Sequence, residues 1–281
     1  MTPIPQTIRL SEAMTQCVAL GLPRLEAQML VLLALGRSTN DRAWLLSHDT
    51  DVLPLEAHQS LQALTQRRLG GEPMAYLTGR KEFFGLMLQI DARVLDPRAD
   101  TEILVDWSLE CLQPLQCPRV LDLGTGSGAI ALAIQSQRPD AQVDAVDASA
   151  AALAVAQANA HQLGLPVHFK QSDWLAGQDT DYALIASNPP YIAEDDPHLL
   201  ALTHEPRQAL TSGTRGMSDL LHIIAQAPAH LQSGGWLLLE HGWNQGPEVR
   251  QALQTAGFLQ VNSRRDLAGH ERCTGGRRLG R

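Results

Sequence analysis

Positive charge is in short supply in this 281-residue chain: 22 Lys and Arg stand against 30 Asp and Glu, for a formal net charge of −8. Affinity for nucleic-acid phosphates comes from clustered cations that release counterions, so the deficit argues against a protein built to grip DNA or RNA. Long apolar runs are missing as well. The longest, residues 29–35, is far below the ~20 residues that span a bilayer, and no membrane span is expected. Residues 1–5 offer neither a basic start nor an apolar stretch, so no secretory leader is expected and the reading is cytoplasmic. Four cysteines (Cys17, Cys111, Cys117, Cys273) form no C-x-x-C pair, and the ten histidines are scattered without ligand spacing. A zinc site and a disulfide framework are both excluded on that pattern, no metal is expected, and the thiols read as reduced and packed. Internal repeats and low-complexity tracts are lacking too.

What is present is apolar material, 44% of the chain against 19% charged residues. That suffices for a large core and is too little charge for a disordered chain. From residue 11 to about 69, Ala13, Cys17, Leu20, then Leu25, Met29, Leu32, Leu33, then Leu55, Leu61 and Leu64 recur at spacings of three and four or their sums. Ser11 is a candidate N-cap, and Gly21, Gly36 and Gly70 are candidate stops. The period shifts towards two from Phe83 onward, as in a hairpin. This divides the chain into a helical domain (1–82), a connector (83–100) and a main domain (101–281). In the last of these, apolar runs at 120–123, 143–146, 167–170, 182–187 and 236–240 alternate with helical stretches at 129–137, 150–163 and 220–230. Such alternation predicts a doubly wound α/β sheet that binds ligands beyond the carboxyl ends of its strands. The tail (258–279) carries two more strand-like pieces, and six arginines between 264 and 281 that read as a solvated sheet edge.

One loop between strand and helix is rich in glycine: Asp122-Leu123-Gly124-Thr125-Gly126-Ser127-Gly128. Glycines let the backbone approach a ligand, and the helix that follows presents unpaired N–H groups. Asp147 ends the next strand, 19 residues beyond Gly128, where a carboxylate can accept from both hydroxyls of a ribose. The leading Asp122 and the D-x-G-x-G-x-G spacing resemble class I methyltransferases more than dehydrogenases, whose pyrophosphate a nearby carboxylate would disfavour. That points to S-adenosyl-L-methionine, with Asp122 drawing its cationic amino-acid end. Asp173 and Trp174, just past the third strand, lie where an adenine should fall, and Trp174 is placed to flank it.

The fourth strand runs straight into Asn188-Pro189-Pro190-Tyr191. Two prolines stiffen the segment. The Asn188 side-chain carbonyl and the Pro189 main-chain carbonyl can then accept both hydrogens of one planar NH₂ group, with the Tyr191 ring packed against it. An amide or exocyclic amine nitrogen is a poor nucleophile because its lone pair is delocalised. Holding both N–H bonds favours the pyramidal nitrogen of a transition state for alkyl transfer. Asn188, Pro189 and Tyr191 are therefore the candidate catalytic residues, and Asn188 to Tyr191 the candidate substrate site.

This set resembles the HemK/PrmC family, N5-glutamine methyltransferases of peptide chain release factors. The resemblance spans nearly the whole chain, through Gly71-Glu72-Pro73-Met74-Ala75-Tyr76-Leu77-Thr78-Gly79, Asp96-Pro97-Arg98-Ala99-Asp100-Thr101-Glu102, Glu205-Pro206, Leu238-Leu239-Glu240-His241-Gly242 and Asp266 to Arg272. It implies a class I S-adenosylmethionine-dependent methyltransferase: a Rossmann-like seven-stranded sheet, its last strand antiparallel, with a small N-terminal helical domain that docks class I release factors. Asp96, Ala99 and Asp100 depart from the Ile, Pro and Glu usual in the family's linker, which questions that linker's rigidity. A ribosomal-protein glutamine methyltransferase shares the site logic. A DNA adenine-N6 methyltransferase shares Asn188 to Tyr191 but needs a basic target-recognition region that this acidic chain does not show.

Overall fold

The computed structural model describes residues 8–178 and 181–280; residues 1–5 and Arg281, on which two of the readings above touch, lie outside them. The chain divides after Gly79 into two compact units.

The first unit is helical: α1 (Leu10–Ala19), α2 (Arg24–Ala34), α3 (Arg42–Ser47), α4 (Leu55–Leu69) and α5 (Met74–Thr78). Of the positions read at helical spacing, Ala13, Cys17, Leu32 and Leu61 enter its buried core and Leu33 and Leu64 pack against it, whereas Leu20, Leu25 and Leu55 are exposed; Leu10 and Leu30 complete the core. Ser11 is not the cap of α1. The helix starts one residue earlier behind Arg9, whose N–H donates to Glu12 Oε2 at 2.9 Å, so a glutamate in the first turn does the work expected of the serine. The expected stops hold more closely: α1 and α2 end two residues before Gly21 and Gly36, and Gly70 follows α4 directly.

The second unit opens with a two-stranded hairpin, β1 (Arg80–Phe83) and β2 (Leu86–Gln89), paired from Arg80↔Gln89 to Phe83↔Leu86. Pairing thus begins three residues before Phe83, because Arg80-Lys81-Glu82 form a strand without any apolar alternation to betray it. Then come α6 (Glu102–Leu112), β3 (Arg119–Leu123), α7 (Ala129–Gln137), β4 (Gln142–Asp147), α8 (Ala150–Leu163), β5 (Val167–Gln171), β6 (Tyr182–Ser187), α9 (Ser218–Gln226), β7 (Leu231–Glu240), α10 (Gly246–Thr255), β8 (Phe258–Arg265) and β9 (Glu271–Arg278). The main sheet has seven strands in the order β5-β4-β3-β6-β7-β9-β8, with β9 antiparallel to both of its neighbours. After β3 the chain builds outward through β4 and β5, then returns to lay β6 on the other side of β3. This reversal puts the glycine loop after β3 and the Asn-Pro-Pro-Tyr segment after β6 side by side at one edge of the sheet.

Two elements exceed the expectation. Strand β7 starts at Leu231 and not at 236, passing through Gly234 (φ +80) and a register shift opposite Tyr182 and Leu184. Helix α10 opens on Gly246-Pro247, a dipeptide that resembles a turn but that suits a first helical turn, where proline's missing N–H costs nothing.

The linker departures are held by charge. Lys81 Nζ lies 3.3 Å from Asp96 Oδ1 and Arg98 3.5 Å from Asp96 Oδ2, while the Asp96 N–H and Arg98 Nη2 both donate to Glu205, at 3.2 and 2.5 Å. Asp100 pairs with Arg272 at 3.2 Å. Ion pairs to a buried glutamate thus pin this segment where proline would otherwise stiffen it. The described tail arginines lie on the edge strand β8 and its neighbour β9, exposed or half-exposed as the solvated-edge reading expects, and several of them also have partners within the chain. Arg264 pairs with Glu110 and lies over the Trp107 ring, Arg265 pairs with Glu271, and Arg277 donates to the Gly234 carbonyl.

Candidate active site

The glycine loop folds back on its own aspartate. Asp122 is fully buried, and its Oδ2 accepts from Thr125 Oγ1 at 2.7 Å and from the Ala131 N–H at 3.2 Å, tying the loop to the first turn of α7. The loop's third glycine, Gly128, has φ +85 and touches the neighbouring helices so closely that a Cβ there would lie 3.0 Å from Leu132 Cδ1 and 3.3 Å from Ala156. Burial drives the Asp122 pKa up to about 7, against the two hydrogen bonds and with the help of the Asp147 charge. Its Oδ1 has no hydrogen-bond partner among the described residues.

Beside this loop lies a cavity of about 220 Å³. Gly124, Gly126, Asp147, Asp173, Trp174, Asn188 and Pro190 line it; Asp122, Thr125, Ser127 and Gly128 do not. The structure therefore brings together most of the expected cofactor residues, and it moves four of them from contact to support. Asp122 in particular is fully buried and holds the loop through Thr125 and Ala131. Asp147 Oδ2 accepts from the Gly126 N–H at 2.9 Å and Oδ1 from the Ser149 N–H at 2.8 Å. Each oxygen keeps a lone pair for a further donor. Partial burial raises the Asp147 pKa while these two bonds oppose the rise. Trp174 sits at φ +46 with its ring against Gly124, where a Cβ would be 3.3 Å from its Cζ3.

Past β6, Asn188 Nδ2 donates to Thr101 Oγ1 at 3.3 Å, and among the described residues nothing donates to Asn188 Oδ1. The Tyr191 hydroxyl donates to Glu240 Oε1 at 3.3 Å, and the Tyr191 carbonyl accepts from Gln245 Nε2 at 3.0 Å. Burial, and next to it the Glu240 charge, push the phenol pKa upward. Asn188, Pro189 and Tyr191 line a second cavity of about 350 Å³ together with Arg98, Leu202 and Leu210. Leu95, Asn188 and Ala209 line both cavities and form the wall between them.

Several participants escaped the sequence reading. The connector contributes Arg93, Val94 and Leu95 to the first cavity, and Asp219 of α9 reaches it too. Asn159, fully buried on α8, donates to the carbonyls of Gln89 (3.1 Å) and Ser127 (2.9 Å) and accepts from the Gln89 N–H (2.7 Å), stapling the hairpin to the glycine loop. Nothing local in an alanine-rich helix announces that contact. Glu240 did leave a signal: it is a lone charge closing the apolar run Leu237-Leu238-Leu239 at a strand's carboxyl end.

Residues 101–256 match the family model described as "Methyltransferase small domain", and residues 10–79 match "PrmC N-terminal domain". A solved Thermus thermophilus 16S rRNA N2 G1207 methyltransferase, in complex with AdoMet and guanosine, superposes with a TM-score of 0.50 at 19% identity over 71% of this chain and 49% of that one. That likeness bears on the fold, which is the class I methyltransferase fold. The release factor glutamine methyltransferase of Bordetella pertussis is 53% identical over 263 residues, 91% of this chain and 95% of its own length. Its Escherichia coli counterpart is 47% identical over 274 residues, 95% and 97% of the two chains. Likeness of that degree, carried through both units and not the catalytic one alone, makes this chain a member of the HemK/PrmC family of release factor glutamine methyltransferases.

Proposed function

We propose that this protein moves a methyl group from S-adenosylmethionine to the side-chain amide nitrogen (N5) of the glutamine in the Gly-Gly-Gln motif of class I peptide chain release factors, a cytoplasmic step in the service of translation termination. The first cavity fits the cofactor. Gly126 leaves open space where a side chain would project, Asp147 offers two partly engaged carboxylate oxygens for ribose hydroxyls, and Trp174 and Pro190 supply apolar surface for a flat base. Asp173, exposed at the same rim, is the further polar contact. When bound, the cofactor supplies an electrophilic methyl on a sulfonium centre.

The chain's own residues then have to position a weak nucleophile. The observation that carries this reading is Asn188 in the wall between the cavities, its nitrogen engaged by Thr101 and its oxygen free. That oxygen and the Pro189 carbonyl accept the two amide hydrogens of the glutamine, while Pro189 and Tyr191 shape the second cavity around the side chain. A carboxamide nitrogen is not protonated at neutral pH, so neither of its two hydrogens has to be removed before attack. One is lost as a proton after the methyl has transferred, when the nitrogen has become strongly acidic and the sulfonium has become a neutral thioether. Orientation and stabilisation of the N–H groups as positive charge develops are therefore the main catalytic tasks. A ribosomal-protein glutamine would satisfy the same wall, and the match of residues 10–79 to the "PrmC N-terminal domain" model favours the release factor. We assign that helical unit to docking the substrate protein. A DNA adenine is disfavoured by the net charge of −8.

Mass spectrometry of a release factor's Gly-Gly-Gln peptide, after incubation with protein and S-adenosylmethionine, tests the reading directly. The wild type adds one methyl to the glutamine. Asn188→Ala keeps its cofactor affinity and slows turnover by about 10²- to 10³-fold, the usual effect of deleting one preorganised electrostatic contact. An unmodified glutamine with the wild type, or full turnover with the variant, overturns it.

A further inference from the structure

Between β6 and α9 the chain leaves the sheet and comes back, and this excursion walls both cavities. Pro206, Gln208 and Ala209 line the first; Leu202, Ala209 and Leu210 line the second. Main-chain bonds close its base: the Ile192 N–H donates to the Leu210 carbonyl at 2.9 Å, the Ser212 N–H to the Ile192 carbonyl at 3.0 Å, and the Glu194 N–H to the Gly213 carbonyl at 3.1 Å. At its two feet, Tyr191 and Gly216 lie so close that a Cβ on Gly216 would run into the Tyr191 carbonyl. The carbonyls of both feet turn toward one point, and carbonyls so placed need a donor between them.

That donor is Gln245, which directly precedes α10. Its Nε2 donates to the Tyr191 carbonyl at 3.0 Å and to the Gly216 carbonyl at 3.2 Å, while its Oε1 accepts from the Gly242 N–H at 2.8 Å. These partners are main-chain groups of fixed polarity, so only one orientation of the amide satisfies them. The anchor behind it is firm as well. His241 is fully buried, burial keeps its imidazole neutral, and its Nδ1 donates to the Gly242 carbonyl at 2.9 Å while its Nε2 lies 2.7 Å from Thr274 Oγ1.

We infer that Gln245 is a positioning residue that clasps both feet of the 191–216 excursion to the turn after β7 and so fixes the Asn-Pro-Pro-Tyr segment against the wall of the second cavity. The inference rests on the function proposed above. The Pro189 carbonyl, one acceptor for the substrate amide, lies two residues from the clasped Tyr191 carbonyl; Asn188, which carries the other, is held to Thr101 at 3.3 Å. Two stiff prolines stand between these anchors. Releasing the Tyr191 end therefore shifts the Pro189 acceptor as a unit with its neighbours.

The test compares wild type, Gln245→Met and Gln245→Glu on an intact release factor, by single-turnover rate, cofactor Kd, thermal midpoint and amide hydrogen exchange. Methionine keeps the length and loses every one of these hydrogen bonds. Gln245→Met lowers the methylation rate about 10- to 100-fold, the scale of a misplaced reacting group, and raises cofactor Kd by a smaller factor. The amides of Ile192, Glu194 and Ser212 exchange faster in it, and those of β3 and β4 do not. Gln245→Glu separates positioning from space-filling. Nearby charges are already paired, Arg215 with Glu248 at 2.8 Å and Arg250 with Glu271 at 2.6 Å, so the new carboxyl faces two carbonyls that raise its pKa. Ionised, it has no donor; protonated, it regains one. Its rate relative to wild type thus matches that of Gln245→Met at pH 8 and recovers to within about 10-fold of wild type near pH 5. A wild-type rate in Gln245→Met, a cofactor Kd that rises as much as the rate falls, or a Gln245→Glu pH profile parallel to wild type overturns the inference. Should Gln245→Met not fold, the Gln245→Glu profile decides alone. A wild type that leaves the glutamine unmethylated overturns the function instead, and the exchange of Ile192, Glu194 and Ser212 then decides the clasp.

Discussion

Burying Asp122 beneath the glycine loop has a cost that changes with pH. Its carboxyl titrates near 3.8 when exposed and at about 7 in the fold. An acid whose pKa rises on folding binds its proton more tightly in the native state, so stability is greatest below the lower value and falls as pH climbs through the higher one. The full penalty is on the order of 4 kcal/mol. Asp122→Asn cannot ionise and escapes it. In urea unfolding, the stability of the variant relative to wild type should rise by about 2–3 kcal/mol between pH 5 and pH 8. Parallel pH curves for the two proteins would show that burial is not what sets this carboxyl's pKa. The same residue marks a limit of sequence reading. Strand β3 is covered on both faces, so its burial pattern carries no alternation to say which way a side chain points. That an acid stood in the loop was legible; that it faced inward was not.

At the scale of elements, the loop glycines separate into two kinds. Gly126 (φ +55) has open space where a Cβ would go, and Gly128 (φ +85) has Leu132 and Ala156. Gly126→Ala should therefore cost about 1–2 kcal/mol of stability, the left-handed backbone penalty alone. Gly128→Ala adds overpacking and should cost about 2–5 kcal/mol. Chemical denaturation ranks the two, and equal losses would mean that the close packing at Gly128 is soft. The motif and its strand-helix setting were readable because glycine spacing and apolar runs are local signals. The strands β3, β4, β5 and β6 likewise lie within two residues of their expected bounds. The elements that went unread are those whose cause is remote. The start of β7 looks like a turn at Ser233-Gly234-Gly235, yet Leu231 before it pairs with Tyr182 of β6 and Trp236 after it with Leu184, so the strand runs through as a bulge. Arg80 to Glu82 are a strand because β2 is there. Asn159 owes its place to Gln89, 70 residues away.

At the scale of the whole molecule, the division after Gly79 suggests where substrate recognition separates from chemistry. A shortened protein beginning at Arg80 should fold, bind S-adenosylmethionine as the full chain does, and methylate a free Gly-Gly-Gln peptide at a comparable rate. On an intact release factor it should be slower by about 10-fold or more, the loss of roughly 1.4 kcal/mol of docking energy or greater. Equal rates on the intact factor would assign the helical unit another role. The cut has to spare the hairpin and the connector. Beginning instead at Thr101, where the connector gives way to the main domain, would discard the Gln89 contacts to Asn159 and the Val94 and Leu95 wall. That wall has one more consequence. Leu95, Asn188 and Ala209 are all that the two cavities share, and none of the three is a nucleophile on which a methyl group could rest. Under the function proposed above, donor and acceptor are expected to be present together, with the transferred carbon passing from one chamber to the other in a single displacement. A methyl made chiral with hydrogen isotopes would emerge with its configuration inverted.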